Sequence, residues 1–334
     1  FRLRESVVCV NFRAVTLLTF KWFFSPVFHA FVKPKSYQNL ILKGILACMK
    51  VFVTGAASFV GGELLRICRE KKIEANGVDL AVMDQPNCSV VDIRSPNISD
   101  YIPTGVDAVI HLAALSNDPL GELNPNLTDE INHRSSIKLA KAAKSAGVKR
   151  FLFSSSCSIY GQSDKDSMVN ENSILNPLTE YAKSKVKTEE ELSKLADISF
   201  SPVYLRNATA YGLSPRLRTD VVVNNLTCWA YTTGSIKLMS DGTSWRPLIH
   251  VDDISSTFCE ILKSPIKDIH NQAFNVGKND QNYTVKQIAE IVTDCIPKSK
   301  IEYSPSATAD KRTYRVNFSK IHSTLPNLQH NWTV

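Results

Sequence analysis

The five residues Lys50–Thr54 (KVFVT) constrain this chain more than any others. They read as a short strand too apolar to face water on either side. A glycine-bearing turn follows at once, Gly55 to Gly61 (GAASFVG). A helix is then expected from about Phe59 to Lys71, with Leu64, Leu65, Ile67 and Cys68 supplying its apolar positions. A strand buried on both faces needs helices above and below it, which is the setting of a parallel sheet. The first half of the chain keeps that rhythm. Strands are expected at 78–83, ending at Asp84, and at 108–112, 150–154 and 203–206. Helices are expected within 124–146, stopped by Gly147, and over 181–195, a segment rich in Lys and Glu.

After about Tyr211 the rhythm becomes irregular, with helices expected at 221–232 and 285–295 and a strand at 236–238. The fold class is therefore α/β: a Rossmann-type parallel sheet with helices on both faces and a smaller C-terminal lobe. Residues 49–210 are expected to be mainly nucleotide-binding. Residues 211–334 are expected to be mainly substrate-binding, with returns to the main sheet. At 334 residues and 43% hydrophobic, the chain can bury a core of that size.

The net charge of +7 misleads about partners. Residues 1–48 hold seven Lys and Arg against Glu5 alone, so they account for +6, leaving +1 for everything after them. No nucleic-acid partner is expected from that balance. The segment 7–32 is the nearest thing to a membrane span, but Arg13, Lys21 and His29 interrupt it, so no stable membrane insertion is expected. Residues 1–48 read as an extension outside the domain, with Met49 as the natural start. A transit segment or a membrane-surface anchor is the competing reading. Eight cysteines without C-x-x-C spacing point to a reduced, cytoplasmic setting and to no metal site.

The strand–turn–helix at 50–71 has the form of a dinucleotide site. Gly55 permits the tight turn, Gly61 lets the helix pack closely, and the helix N-terminus faces a pyrophosphate. Ser58, Phe59 and Val60 complete that cradle. Asp84, 29 residues after Gly55 at the expected end of the second strand, would bond the adenosine ribose and repel a 2′-phosphate, favouring NAD. Asp92 and Ile93 are candidates for the adenine, with a solvent-facing turn acid as the alternative for Asp92. Leu112, Ala113 and Ala114 end another strand with small residues that let backbone pass close to a ligand. His111 before them reads as structural.

The chemistry is carried by FSSSCSIYG and YAKSK. Tyr181 and Lys185 lie four apart on a helix and share a face. An ammonium beside a phenol favours the phenolate, and Ser156 can hold the reacting oxygen. Tyr181 can then take a proton from a sugar hydroxyl while hydride leaves the same carbon, with Lys185 also bonding the nicotinamide ribose.

In that order, the glycine turn, HLAA, SSS…YG, YAKSK, YG–P–R and RPLIHVDD make residues 49–334 resemble an extended short-chain dehydrogenase/reductase. The resemblance is to the NAD-dependent nucleotide-sugar epimerase/dehydratase family. It implies NAD as cofactor, a nucleotide-sugar substrate, Ser156, Tyr181 and Lys185 as catalytic residues, and a homodimer joined through two long central helices. It also implies that Asn132 supports the nicotinamide, that Asn207, Asn224 and Asn225 meet the sugar nucleotide, and that Arg246 and Arg312 pair with its diphosphate. Two departures stand out. The middle glycine of the family's G-x-x-G-x-x-G is Ser58, near the pyrophosphate. The Asp-Glu pair of sugar 4,6-dehydratases is Cys157-Ser158, which argues against dehydration and toward epimerisation or simple redox chemistry. The chain also stops at Trp332-Thr333-Val334, where related chains commonly continue. The leading expectation is epimerisation through a transient keto sugar. The alternatives are a nucleotide-sugar reductase or dehydrogenase, a dehydratase, and a non-enzymatic NAD-binding regulatory or structural protein.

Overall fold

The structure is a computed structural model and describes residues 49–82, 87–163 and 167–334. Asp84, like the whole of 1–48, lies outside the described residues. The strands in chain order are β1 (Lys50–Thr54), β2 (Glu74–Asp79), β3 (Cys88–Val90), β4 (Ala108–His111), β5 (Arg150–Ser156), β6 (Met168–Val169), β7 (Ser201–Asn207), β8 (Thr209–Tyr211), β9 (Ser235–Ser240), β10 (Trp245–His250), β11 (Gln272–Val276), β12 (Asn282–Thr284), β13 (Lys300–Thr308) and β14 (Arg315–Val316). The principal helices are α1 (Phe59–Glu70), α2 (Asp118–Leu123), α3 (Pro125–Asp129), α4 (Ser135–Ser145), α5 (Glu180–Leu195), α6 (Val222–Thr233), α7 (Val251–Lys263) and α8 (Val285–Cys295).

Seven strands form the main sheet, in the order β3, β2, β1, β4, β5, β7, β11, and every neighbouring pair is parallel. The chain builds outward from β1 to β3, then crosses back and builds the other side from β4. The crevice beyond the carboxyl ends of β1 and β4 is the point where that order reverses, and ligands of such sheets bind there. β1 shows why the sheet is covered on both faces. Val51 and Val53 pack into a core with Leu64 and Leu65 of α1 and Phe258 and Leu262 of α7. Phe52 points the other way, into a core with Leu139 of α4 and Leu192 of α5. All three β1 residues are almost wholly buried. A third core joins α6, α8, β9 and β10 in the smaller lobe, around Leu226, Leu238, Leu248 and Ile288. β11 returns from that lobe to the edge of the main sheet.

Two expectations are corrected. The second strand is Glu74–Asp79, not 78–83. Its sequence EANGVD is polar, so the apolar run after it drew the reading downstream, yet Leu80 and Val82 are exposed. The long helix expected in 124–146 is broken into α3, a π turn over Glu130–Arg134, and α4. The helix α7, which follows β10 directly, has no counterpart in the sequence reading.

Candidate active site

The glycine turn has geometry that only its own residues satisfy. Gly55 has φ +74°, and a Cβ there would lie 2.7 Å from the Ala113 backbone nitrogen. A Cβ on Gly61 would lie 2.0 Å from the Gly55 carbonyl oxygen. Ser58 is the N-cap of α1, at φ −75° and ψ 174°, a conformation any residue adopts. Its Oγ accepts the Gly61 N–H at 3.0 Å. The serine that replaces the family's middle glycine therefore does not strain the turn; it caps the helix and leaves its own hydroxyl proton to donate. Ser58, Phe59 and Val60 line one end of a cleft of about 1050 Å³, together with Gly55, Asp92, Ile93, Leu112, Ala113 and Ala114.

The acid at the end of the second strand is Asp79, which the misplaced strand boundary concealed. Its Oδ2 accepts the Ala57 N–H at 2.9 Å and its Oδ1 accepts the Ala81 N–H at 2.9 Å. It lines the cleft beside the glycine turn. Asp92 also lines the cleft, but its carboxylate is held by the Arg94 guanidinium at 2.6 and 2.9 Å, and that bond keeps it below the usual carboxylate range. The residues fit a dinucleotide: a turn open to close approach, a capped helix N-terminus for the pyrophosphate, and a fixed carboxylate for a ribose.

Ser156, Tyr181 and Asn207 line the middle of the same cleft. Ser156 ends β5, opposite Asn207 of β7 in register. Its Oγ accepts the Ser158 N–H at 3.1 Å. Burial pushes the Tyr181 phenol up to about 12, opposed by a hydrogen bond with the Ser156 side chain. Lys185 lies behind the cleft, one helical turn on, and is 3% exposed. Its Nζ donates to the Ser154 carbonyl at 2.7 Å and sits 5.6 Å from the Tyr181 ring centre. Burial lowers Lys185 to about 7, against the pull of Glu189. Burial likewise lowers His111 to about 3, so it is neutral. Its Nε2 meets Ser136 Oγ at 2.7 Å and its Nδ1 meets Thr54 Oγ1 at 2.6 Å. The Ser136 hydroxyl donates to Asn132 O, so Nε2 carries the proton and Thr54 donates to Nδ1.

One buried network supports the centre from beneath. Arg206 and Glu189 pair at 2.7 Å, Ser155 Oγ donates to Glu189 at 2.6 Å, and Tyr160 receives an Arg206 N–H at 3.1 Å. Glu189 is four residues after Lys185 and shares its face, so this network ties α5 to β5 and β7 just below the reacting groups. Cys157 belongs to the core. Burial raises its thiol, whose Sγ donates to the Arg206 carbonyl at 3.1 Å. Of the pair Cys157-Ser158, only Ser158 lines the cleft.

At the far end stand Arg216, Arg218, Arg246 and Arg312. Arg246 and Arg312 share the Asp310 carboxylate at 2.6 and 2.8 Å, and Arg312 also reaches Asp118 at 3.0 Å. Arg218 pairs with Asp220 at 2.6 Å and donates to the Ser116 carbonyl at 3.2 Å, so the loop after β8 meets the loop after β4 across the cleft. Arg216 is exposed and has no ion-pair partner among the described residues. Neither Arg216 nor Arg218 was singled out from sequence, although YG–P–R contained the first.

Three expected contacts lie elsewhere. Asn132, fully buried in the π turn, spends its amide on the Leu115 N–H at 2.7 Å, the Leu115 carbonyl at 3.1 Å and Ser184 Oγ at 3.2 Å. It fixes the loop that lines the cleft without lining it. Asn224 uses its amide on the Gly212 N–H and carbonyl, both at 3.0 Å, and on the Arg218 carbonyl at 2.8 Å. Asn225 donates to the Thr219 carbonyl at 2.9 Å. Both shape the loop carrying Arg216 and Arg218 and are absent from the cleft wall. An asparagine's amide matches backbone as well as it matches a ligand, and sequence alone does not separate the two.

A parallel sheet with a dinucleotide turn, Ser156 and Tyr181 in one cleft and Lys185 just behind it defines an NAD-linked dehydrogenase/reductase fold. The chain belongs to the NAD dependent epimerase/dehydratase family, whose pattern matches residues 51–277. Among curated relatives, a UDP-glucuronate 4-epimerase of Thermodesulfobacterium geofontis is 31% identical over 68% of this chain and 67% of its own length. A UDP-glucose 4-epimerase of Mycolicibacterium smegmatis is 25% identical over 83% of this chain and 92% of its own. Among solved structures, MoeE5 in complex with UDP-glucuronic acid and NAD superposes with a TM-score of 0.77 at 23% identity, covering 85% of this chain and 94% of that one. UDP-glucose 4-epimerase of Thermotoga maritima with UDP-glucose gives 0.74 at 24%, covering 82% and 92%. NAD is the cofactor of this family. Among the described residues no helix is long and apolar enough to cross a membrane.

Proposed function

We propose that this chain inverts the C4 hydroxyl of a nucleotide-activated sugar through a transient keto sugar, with NAD retained in the site. The observation that carries this reading is the meeting of Ser156 and Tyr181 with the glycine turn and Asp79 in one cleft. Relatives that act on UDP-sugars at C4 support the substrate class and the carbon. Residues 49–210 then hold mainly the dinucleotide, and residues 211–334 hold mainly the nucleotide sugar.

Bound NAD supplies a reversible hydride acceptor and a positive charge. Gly55, Ser58, Phe59, Val60 and Gly61 would cradle its pyrophosphate. Asp79 would accept from the ribose hydroxyls and repel a 2′-phosphate, taking the part that sequence assigned to Asp84. Ile93, with Asp92, would border the adenine. Leu112, Ala113 and Ala114 would flank the dinucleotide, along a wall set by Asn132. Ser156 holds the sugar oxygen, and Tyr181 takes its proton when the keto sugar forms and returns it when the keto sugar is reduced. As burial sets it, the phenol is too weak an acid for this, at about 12. The positive charge that a bound cofactor ring would supply favours the phenolate, and Lys185 in its protonated form acts in the same direction. Arg246 and Arg312, with Arg216 from the neighbouring loop, would take the diphosphate, exchanging part of their hold on Asp310 and Asp118 for it. The anchored diphosphate lets the sugar turn over without leaving.

Cysteine at 157 and serine at 158 supply no acid–base pair for eliminating water, which favours epimerisation over dehydration. A homodimer and a cytoplasmic setting belong to the same proposal. The outer faces of α4 and α5 carry exposed Lys138, Lys141, Lys183, Lys187 and Glu190, so association there would be polar. The test is proton NMR of the purified protein with UDP-glucose and no added dinucleotide. The reading predicts an equilibrium mixture of the two C4 epimers, and a Tyr181→Phe loss of about 10²–10⁴ in kcat. Formation of a dehydrated or decarboxylated sugar, or full turnover by Tyr181→Phe, would overturn it.

A further inference from the structure

Residues 330–334 cross the first turn of α7 and are bonded to it. The Asn331 N–H donates to Asp253 Oδ1 at 3.0 Å and the Trp332 N–H to Asp253 Oδ2 at 3.2 Å. Asp253 is buried, and both of its oxygens are spent on this segment. The Trp332 Nε1 donates to Asp252 Oδ2 at 3.1 Å, and Val334 packs against the core of the smaller lobe. The indole is thereby fixed, and it stacks on His250 with ring centres 4.3 Å apart and planes 21° apart. His250 caps α7, its Nδ1 accepting the Asp252 N–H at 3.2 Å. It meets Tyr211, its register partner on β8, edge-on at 5.3 Å. A Cβ on Gly212 would lie 2.1 Å from His250 Nε2. The imidazole therefore occupies the space that a side chain at 212 would take, and Gly212, at φ +109°, rests directly on it.

Gly212 opens the loop that carries Arg216 into the cleft. Two further ties hold that loop. Ser214 Oγ donates to the Phe59 carbonyl at 2.6 Å, at the start of α1, and Arg218 donates to the Ser116 carbonyl at 3.2 Å. Arg216 lies between these ties, so the backbone on either side of it sets where its guanidinium goes. We infer that Trp332 and His250 are positioning residues for the nucleotide sugar: stacked, they back Gly212 and so hold Arg216 toward the substrate diphosphate. The inference rests on the proposed nucleotide-sugar reading. Neither ring lines the cleft, so both act through the loop. Loosening such an anchor weakens the hold on bound substrate and leaves Ser156 and Tyr181 as they are, which raises KM at constant kcat.

The experiment measures UDP binding by calorimetry, and KM and kcat for UDP-glucose, in the full chain. Trp332→Leu and Trp332→Met keep apolar cover without the stack, and Trp332→Phe keeps a ring on His250. Trp332 is 48% exposed, so none of the three opens a core. Trp332→Leu and Trp332→Met should each weaken UDP binding and raise KM by about tenfold, with kcat within about twofold of wild type. Trp332→Phe should restore both. Arg216→Ala should weaken UDP binding by about tenfold or more, and adding Trp332→Leu to it should cost nothing further, because the two act through one contact. Wild-type UDP binding in Trp332→Leu and Trp332→Met, losses that add in the double variant, or a fall in kcat at constant KM each overturns the positioning role and leaves the proposed function standing. Failure of the wild-type protein to bind UDP overturns the nucleotide-sugar reading and this inference with it.

Discussion

Lys185 is the residue whose state matters most and whose surroundings are least favourable to it. It is buried, bonded to one carbonyl, and lowered from an ordinary 10.5 to about 7. Between those two values the unfolded chain binds a proton that the folded chain does not. Stability must therefore rise with pH across that window, by at most about 1.4 kcal/mol per pH unit. Urea unfolding of the cofactor-free protein and of Lys185→Met, from pH 7 to 9.5, reads this directly. The wild type should gain on the variant as pH rises; parallel curves would show that Lys185 is charged throughout. At this scale the sequence was legible where spacing enforces geometry. Tyr181 and Lys185 had to share a face, and Gly55 had to precede a helix. It was silent where a side chain had two equally good uses. Asn132, Asn224 and Asn225 fold loops, while Asn207 keeps an acceptor unspent.

Among the elements, α1 concentrates the cofactor question. Its N-cap is a serine where the family has glycine, and its first turn packs on the Gly55 carbonyl through Gly61. These two positions should respond oppositely to substitution. Ser58→Gly removes a cap for only a few tenths of a kcal/mol, and Ser58→Ala costs about 1 kcal/mol, both keeping NAD binding. Gly61→Ala forces a methyl against backbone oxygen, costing about 3 kcal/mol, and abolishes NAD binding. Thermal unfolding with and without NAD separates the cases. A Gly61→Ala protein stabilised by NAD as well as the wild type would refute this account of the turn. The elements themselves were readable where apolar periodicity was strong, as in β1, α1 and α8. β2 was misread because a polar edge-side strand, EANGVD, precedes an apolar segment that the fold leaves exposed. That single slip moved the acid proposed to bind the ribose from Asp79 to Asp84.

At the largest scale, the described residues form a parallel sheet with a lobe grown from its later strands, and the cleft between them runs from the glycine turn to an arginine-rich end. The Arg218–Asp220 pair reaches the Ser116 loop from the opposite side, so the two halves already touch across the opening. That arrangement suits a protein that keeps its cofactor through many turnovers. Arg218, Asp310 and Arg312 lie in loops with no period and Arg246 on the short strand β10, which is why sequence found Arg246 and Arg312 only by resemblance and missed Asp310 and Arg218. The central claim is internal redox at one sugar carbon, and UDP-glucose deuterated at C4 tests it most directly. With no added NAD, the account predicts that the C4 epimer forms with its deuterium still on C4 and with none lost to water. Deuterium released to solvent, or product that accumulates only as added NAD is consumed, would contradict it.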